Sequence, residues 1–113
     1  MTERHRQAID NARRLAVLAA QERAESIRQQ IAAANTVLVL ANTELEQGRG
    51  HQANTLLQRM RSVADKVCFH LNEPNHVPSA EAEELHASLE QIESGIRALA
   101  NRVKAHSLPS PEN

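Results

Sequence analysis

Residues 27–45, IRQQIAAANTVLVLANTEL, decide the fold that this sequence predicts. Apolar side chains recur here at spacings of 4-3-4-3-4, which is typical of a helix that packs along another helix in a coiled-coil-like seam. The members of this seam are Ile27, Ile31, Ala34, Leu38, Ala41 and Leu45. The run VLVL at residues 37–40 has local strand propensity, but its polar, Ala-rich flanks and the lack of a second strand-like segment favour a helix.

The predicted helix extends well beyond this seam, because no Gly or Pro occurs between Thr2 and Gln47. We predict a helix over about residues 2–47, with Thr2 or Asp10 as its N-cap. Its N-terminal half has a less regular apolar pattern and carries several arginines. One alternative stays open, in which the helix breaks near residues 21–23 and its first half folds back as a fourth helix of a bundle.

A glycine-containing break, QGRGH at residues 47–51, ends the first helix. Gly48 or Gly50 is expected to take the left-handed conformation that closes helices. A second helix is predicted over about residues 51–71, and the short connection makes the first two helices an antiparallel hairpin.

The next break is EPNHVPS at residues 73–79, where two prolines disfavour helix and Ser79 is predicted to cap the helix that follows. This third helix is predicted over about residues 80–106, and Gly95 within it indicates a close approach to another helix. Residues 107–113 are predicted to form a disordered tail. The apolar seam of the third helix consists of Ala82, Leu85, Leu89, Ile92, Ile96, Leu99 and Val103.

The composition predicts one all-α domain over residues 1–106, with a core that is almost wholly aliphatic. Among its 113 residues there is one Phe, no Trp and no Tyr. The net charge of −1 does not favour non-specific nucleic-acid binding, and a single Cys excludes an internal disulfide. The N-terminal segment is charged, and no uncharged run is long enough to span a membrane. We therefore expect a soluble cytoplasmic protein; delivery by a specialised export system stays open.

The stretch FHLNEPNH at residues 69–76 follows the only cysteine, Cys68, and brings His70, Glu73 and His76 close together in sequence. The spacing of these four polar residues matches no common zinc motif. Cys68 also belongs to the apolar stripe of the second helix, which does not suit a reactive thiolate. We therefore predict an inter-helix corner, with no catalytic residues, no metal ligands and no cofactor.

The first helix is predicted to be about twice as long as the second, so its N-terminal half should extend beyond a three-helix unit. An exposed amphipathic half-helix predicts a non-catalytic interaction protein, such as a small regulator, inhibitor or adaptor. Its predicted partner-binding residues are Arg6, Ile9, Arg13 and Leu18.

The expected partner is a protein, and we also expect a homodimer; direct nucleic-acid binding is not expected, because acidic residues interleave with the arginines. The residues assigned to a dimer or core seam are Ile27, Ile31, Leu38, Leu45, Leu89, Ile92, Ile96 and Leu99. The alternative functions are a helical oligomer that binds a small molecule or nucleotide, a phosphotransfer module and a secretion chaperone.

Overall fold

A computed structural model describes residues 2–107 of the chain as three helices. They are α1 (Glu3–Glu46), α2 (Gly50–Leu71) and α3 (Ser79–Ser107), and the described residues contain no strand. The all-α prediction is confirmed, with each helix end within one residue of its predicted position. α1 runs unbroken through residues 21–23, so the alternative with a fourth helix is wrong.

The three helices pack around one aliphatic core, and the molecule measures 82 × 18 × 17 Å. Seven of the eight predicted seam residues are buried within this single chain, and Leu38 is half-buried against them. The seams of α1 and α3 thus pack on helices of their own chain. From residue 108 on, the predicted disordered tail lies outside the described residues, and Ser107 is the last residue of α3.

The α1–α2 connection is closed by Gly48, as predicted, with a φ of 81°. The backbone N–H of Gly48 donates to the Leu45 carbonyl at 3.0 Å, and that of Arg49 donates to the Glu44 carbonyl at 2.8 Å. These two bonds form a Schellman motif. The Arg49 guanidinium also donates to the Glu44 carboxylate, which lowers the pKa of Glu44 below its ordinary value. The hairpin is therefore fixed by both backbone and side chains.

The prediction that Ser79 caps α3 is wrong by one residue. Ser79 is the first residue of the helix, and the carbonyl of Pro78 accepts from the N–H groups of Glu81 and Ala82 at 3.0 and 2.9 Å. Proline suits this capping position, because its fixed φ does not hinder the chain there and no N–H is needed.

Gly95 lies at a close approach of α3 to α1, as the sequence predicts. A Cβ added to Gly95 would lie 2.5 Å from Cδ2 of Leu38, so Leu38 occupies the space that a larger residue would fill. Further along the same interface, Arg102 donates to the side-chain oxygen of Asn42. Together these contacts place α3 parallel to the C-terminal half of α1.

None of the described helices is both long and apolar enough to cross a membrane.

Candidate functional site

The first part of α1 projects beyond the bundle, and we call residues 3–22 the arm. Every side chain from residue 3 to residue 18 is exposed, and Ala24 is the first buried residue of the helix. The arm is about 30 Å long at the helical rise of about 1.5 Å per residue. It leaves the bundle at the end where α2 connects to α3.

The arm carries large aliphatic side chains that nothing in the described chain covers. The exposed fractions are 39% for Ile9, 66% for Leu15, 54% for Val17 and 52% for Leu18. Ile9 and Leu18 are among the partner-binding residues predicted from the sequence, and Leu15 and Val17 are not. The uninterrupted apolar run at residues 15–20, LAVLAA, was the signal that could have identified them.

The four predicted partner-binding residues all lie on the arm, but the helix places them on two faces. Ile9 and Arg13 continue the line of the α1 seam, because spacings of three and four residues connect them through Ala16 and Ala20 to Ala24. Arg6 lies near the same line. Leu18 precedes Ile27 by nine residues, or about two and a half turns, and therefore lies on the opposite face.

The arm lies outside the core because α1 has 44 residues and α2 has only 22, and the placement of charged residues on the arm suits that exposure. Where the bundle half of α1 has Ile27 and Ile31 on its inner line, the arm has Arg6 and Arg13. A guanidinium on that line resists burial without a paired acid. Within residues 2–107, the arm arginines form no ion pair with a carboxylate.

The base of the arm is tied to the bundle by two arginines of α1. Arg23 donates from Nε to the backbone carbonyl of His76 at 2.6 Å, which joins α1 to the α2–α3 loop. Arg28 lies 3.8 Å from the carboxylate of Glu81 on α3, while it also donates to Glu25. The pairing of basic α1 with the acidic start of α3 thus occurs within one chain.

The stretch at residues 69–76 forms the predicted corner, since α2 ends at Leu71 and α3 begins at Ser79. The corner also brings three side chains together, and we call His70, Glu73 and His76 the corner triad. Nδ1 of His76 lies 3.1 Å from Oε2 of Glu73, and Nδ1 of His70 lies 3.6 Å from Oε1 of Glu73. The two imidazole rings stack with their centroids 5.0 Å apart.

Local backbone geometry explains why these three side chains converge. The N–H of Glu73 donates to the His70 carbonyl at 3.2 Å, and the N–H of His76 donates to the Glu73 carbonyl at 3.3 Å. Successive bonds between residues three apart form tight turns in which residues i and i+3 eclipse one another. Asn75 completes the reversal with a φ of 60°. The sequence alone does not predict that the three side chains converge.

Cys68 does not join the corner triad. Its thiol is half-buried at the edge of the core and accepts a hydrogen bond from Nδ2 of Asn72 at 3.5 Å. The thiol therefore packs as part of α2, as the sequence predicts.

A second apolar surface lies between α1 and α2 on the bundle itself. Leu40 is 52% exposed and borders a shallow groove of about 350 Å³. The groove is lined by Leu40, Glu44, Gln52, Thr55, Leu56 and Arg59. Because Leu40 matches Leu18 in residue type and exposed fraction, the two positions form a matched pair on one helix.

The chain matches no protein-family model, no curated protein and no solved structure. Its own geometry is therefore the basis for assigning a function.

Proposed function

We propose that the protein is a non-catalytic interaction protein that binds a protein partner through the arm. The observation that carries this proposal is the arm itself, a continuous helix whose side chains from residue 3 to residue 18 are all exposed. A preformed helix loses little conformational entropy when it binds, so its aliphatic side chains can contribute directly to affinity.

The chemistry of the arm indicates the kind of partner that fits it. The arm combines four arginines with three acidic residues, and exposed aliphatic side chains lie between them. Arginine stems pack on apolar surface while the guanidinium pairs with a carboxylate. The complementary surface is thus an apolar groove or helix bordered by Asp and Glu, and a regulator, inhibitor or adaptor could use such a contact.

The bundle supports this proposal by contrast, because its three seams bury one another. Ile27, Ile31 and Leu45 lie in the core of their own chain and are not free to form an intermolecular seam. A homodimer is one form that the proposed interaction can take, and it would then use the arm. Two arms in antiparallel contact would place the aliphatic side chains of each against the other.

Leu18→Glu and Leu40→Glu test the proposal as a matched pair. Both substitutions introduce a charge at a Leu that is 52% exposed on α1, one on the arm and one on the bundle. We expect purified wild-type protein and Leu40→Glu to capture the same partner from a lysate of the native host, identified by mass spectrometry. Leu18→Glu should lose that partner while keeping its helical circular-dichroism spectrum. If Leu40→Glu loses the partner and Leu18→Glu still captures it, the binding site lies in the α1–α2 groove instead.

Sedimentation of the purified protein tests the homodimer separately. We expect the mass of a dimer at micromolar concentration, and Leu18→Glu should shift the protein toward the monomer. A strictly monomeric wild-type protein would contradict the homodimer. It would not contradict binding of a different protein, which the capture experiment tests.

A further inference from the structure

We propose that the corner triad of His70, Glu73 and His76 binds one Zn²⁺ ion. This inference is independent of the arm and its partner, because it rests on ligand atoms at the α2–α3 corner. One ligand atom from each of the three residues lies within 4.8 Å of the other two. Two imidazoles and one carboxylate form a donor set that zinc uses in proteins.

The distances within the corner triad suit a shared ion. Zinc binds imidazole nitrogen and carboxylate oxygen at about 2.0 to 2.2 Å, so the ligand atoms of a tetrahedral site lie about 3.3 Å apart. Nδ1 of His76 lies 3.1 Å from Oε2 of Glu73, and Nδ1 of His70 lies 3.6 Å from the other carboxylate oxygen, Oε1, so the two separations lie on either side of that value. The ligand atoms all lie within 4.8 Å of one another, so binding requires the two imidazoles to rotate about their side-chain bonds and bring their nitrogens closer together.

An unsatisfied polar atom points to a ligand at this place. Nδ1 of His70 is buried from solvent and has no hydrogen-bond partner among residues 2–107. Buried polar atoms in proteins are almost always paired, and an imidazole nitrogen can be satisfied by a donor or by a metal ion. A Zn²⁺ ion between the imidazoles and Glu73 would satisfy Nδ1 and would also separate two rings that now stack.

The backbone holds the ligands in place before any ion binds. Turns at residues 70–73 and 73–76 fix the spacing of the three side chains, and Pro74 limits rotation between them. The Arg23 hydrogen bond to the His76 carbonyl fixes the last ligand from a different helix. The side chains of His70 and Glu73 are 43% and 41% exposed, so an ion can enter from solvent.

The donor set also selects among metal ions. Ca²⁺ and Mg²⁺ require oxygen ligands, and this site offers only one carboxylate. Imidazole nitrogen suits Zn²⁺ and its neighbours in the first transition series. Three protein ligands leave a fourth position for water, or for a side chain of another molecule.

Calorimetry on the tag-free full-length protein tests the site, since a polyhistidine tag would bind the same ions. We expect one Zn²⁺ per chain with a dissociation constant in or below the micromolar range, and no binding of Mg²⁺. Excess Zn²⁺ should raise the midpoint of thermal unfolding by about 5 to 10 °C, because the ion binds the folded chain.

Three variants connect that binding to the corner triad. His70→Ala and His76→Ala should each weaken Zn²⁺ binding at least tenfold and abolish the thermal shift. His51→Ala is the control, because His51 is an exposed histidine at the opposite end of α2. Equal Zn²⁺ affinity in wild type and both triad variants would overturn the proposal, as would loss of binding in His51→Ala alone.

X-ray absorption of the zinc-loaded wild-type protein keeps the proposal testable if the triad variants fold poorly. The spectrum should show two imidazoles and oxygen ligands around the ion. A first shell without imidazole, or with sulfur from Cys68, would overturn the assignment.

Discussion

The two halves of α1 belong to one unbroken helix, yet one half is half-buried in a bundle and the other is exposed all round. In the bundle half, the apolar residues of the seam follow a single line at spacings of 4-3-4-3-4, and Val39 and Leu40 lie off that line and are exposed. In the arm, aliphatic residues lie on two faces, and Arg6 and Arg13 occupy the line that would face the core. The difference shows that helix propensity alone does not decide which half is buried. α2 and α3 pack only against the half that begins at Ala24, and the arm places charged residues on the continuation of the seam.

The contrast also separates the residues that hold the chain together from those that lie exposed on its surface. The bundle half supplies contacts that hold the chain together, while the arm contributes exposed side chains and almost no tertiary contact. The same change should therefore have very different effects in the two halves.

The largest effect should follow from a charge placed in the seam. Ile31→Asp buries an unpaired carboxylate at a site that is 6% exposed, and we expect it to lower the free energy of unfolding by about 3 to 5 kcal/mol. Leu15→Asp, at a position that is 66% exposed, should change it by less than about 0.5 kcal/mol. Urea denaturation measures both, and similar losses would mean that the arm also packs in a core.

A double-mutant cycle at the α1–α3 contact should give a coupling of about 1 kcal/mol. Gly95→Ala gains helix propensity worth about 1 kcal/mol, but the new Cβ must displace Leu38, so the two effects should nearly cancel. In a Leu38→Ala background the space is free, and Gly95→Ala should then stabilise by about 1 kcal/mol. If the two substitutions change the free energy of unfolding additively in denaturant, then Leu38 does not limit the size of the residue at position 95.

Cys68→Ala should lower the free energy of unfolding by about 1 kcal/mol or less, because Cys68 is only half-buried at the edge of the core. Partner binding should be unchanged, because the thiol lies on α2 and not on the arm. A variant that melts normally but no longer captures the partner would refute the structural role of Cys68.

The smallest effect on stability should come from deleting most of the arm. Removing residues 1–20 leaves the core from Ala24 onward intact, so we expect cooperative unfolding within about 0.5 kcal/mol of wild type. The deletion should nevertheless abolish partner binding. Thermal unfolding and the capture assay, run on one preparation, measure both; retained binding would place the site on α2 or α3 instead.

The sequence predicts the fold well, because each helix end coincides with a strong local signal. Gly48 closes α1 through its left-handed conformation, and the prolines at positions 74 and 78 separate α2 from α3. The cap of α3 was misassigned because Ser79 is a good N-cap by type, while the carbonyl that accepts the first helical bonds belongs to Pro78.

The candidate sites are harder to predict from the sequence than the helices are. The exposed arm follows from helix lengths, and the nine-residue separation of Ile9 and Leu18 places them on opposite faces of a continuous helix. The burial of Ile27 in the bundle then shows that Ile9 lies on the face that continues the core-facing line. The corner triad depends on turns within a proline-containing loop, where no regular period links sequence spacing to position. Its residues recur at intervals of three, and this weak signal acquires meaning only when the turn geometry is known.

The continuity of α1 has a consequence for how the arm becomes helical at all. Starting a helix in water is unfavourable by a factor of roughly a thousand, and a separate peptide of this length would be only marginally helical. The bundle removes that barrier, since the turn around Ala24 is held by the core and each further residue needs only propagation toward Glu3. Amide hydrogen exchange along the arm should accordingly quicken from Arg23 toward the N-terminus, as a fraying gradient.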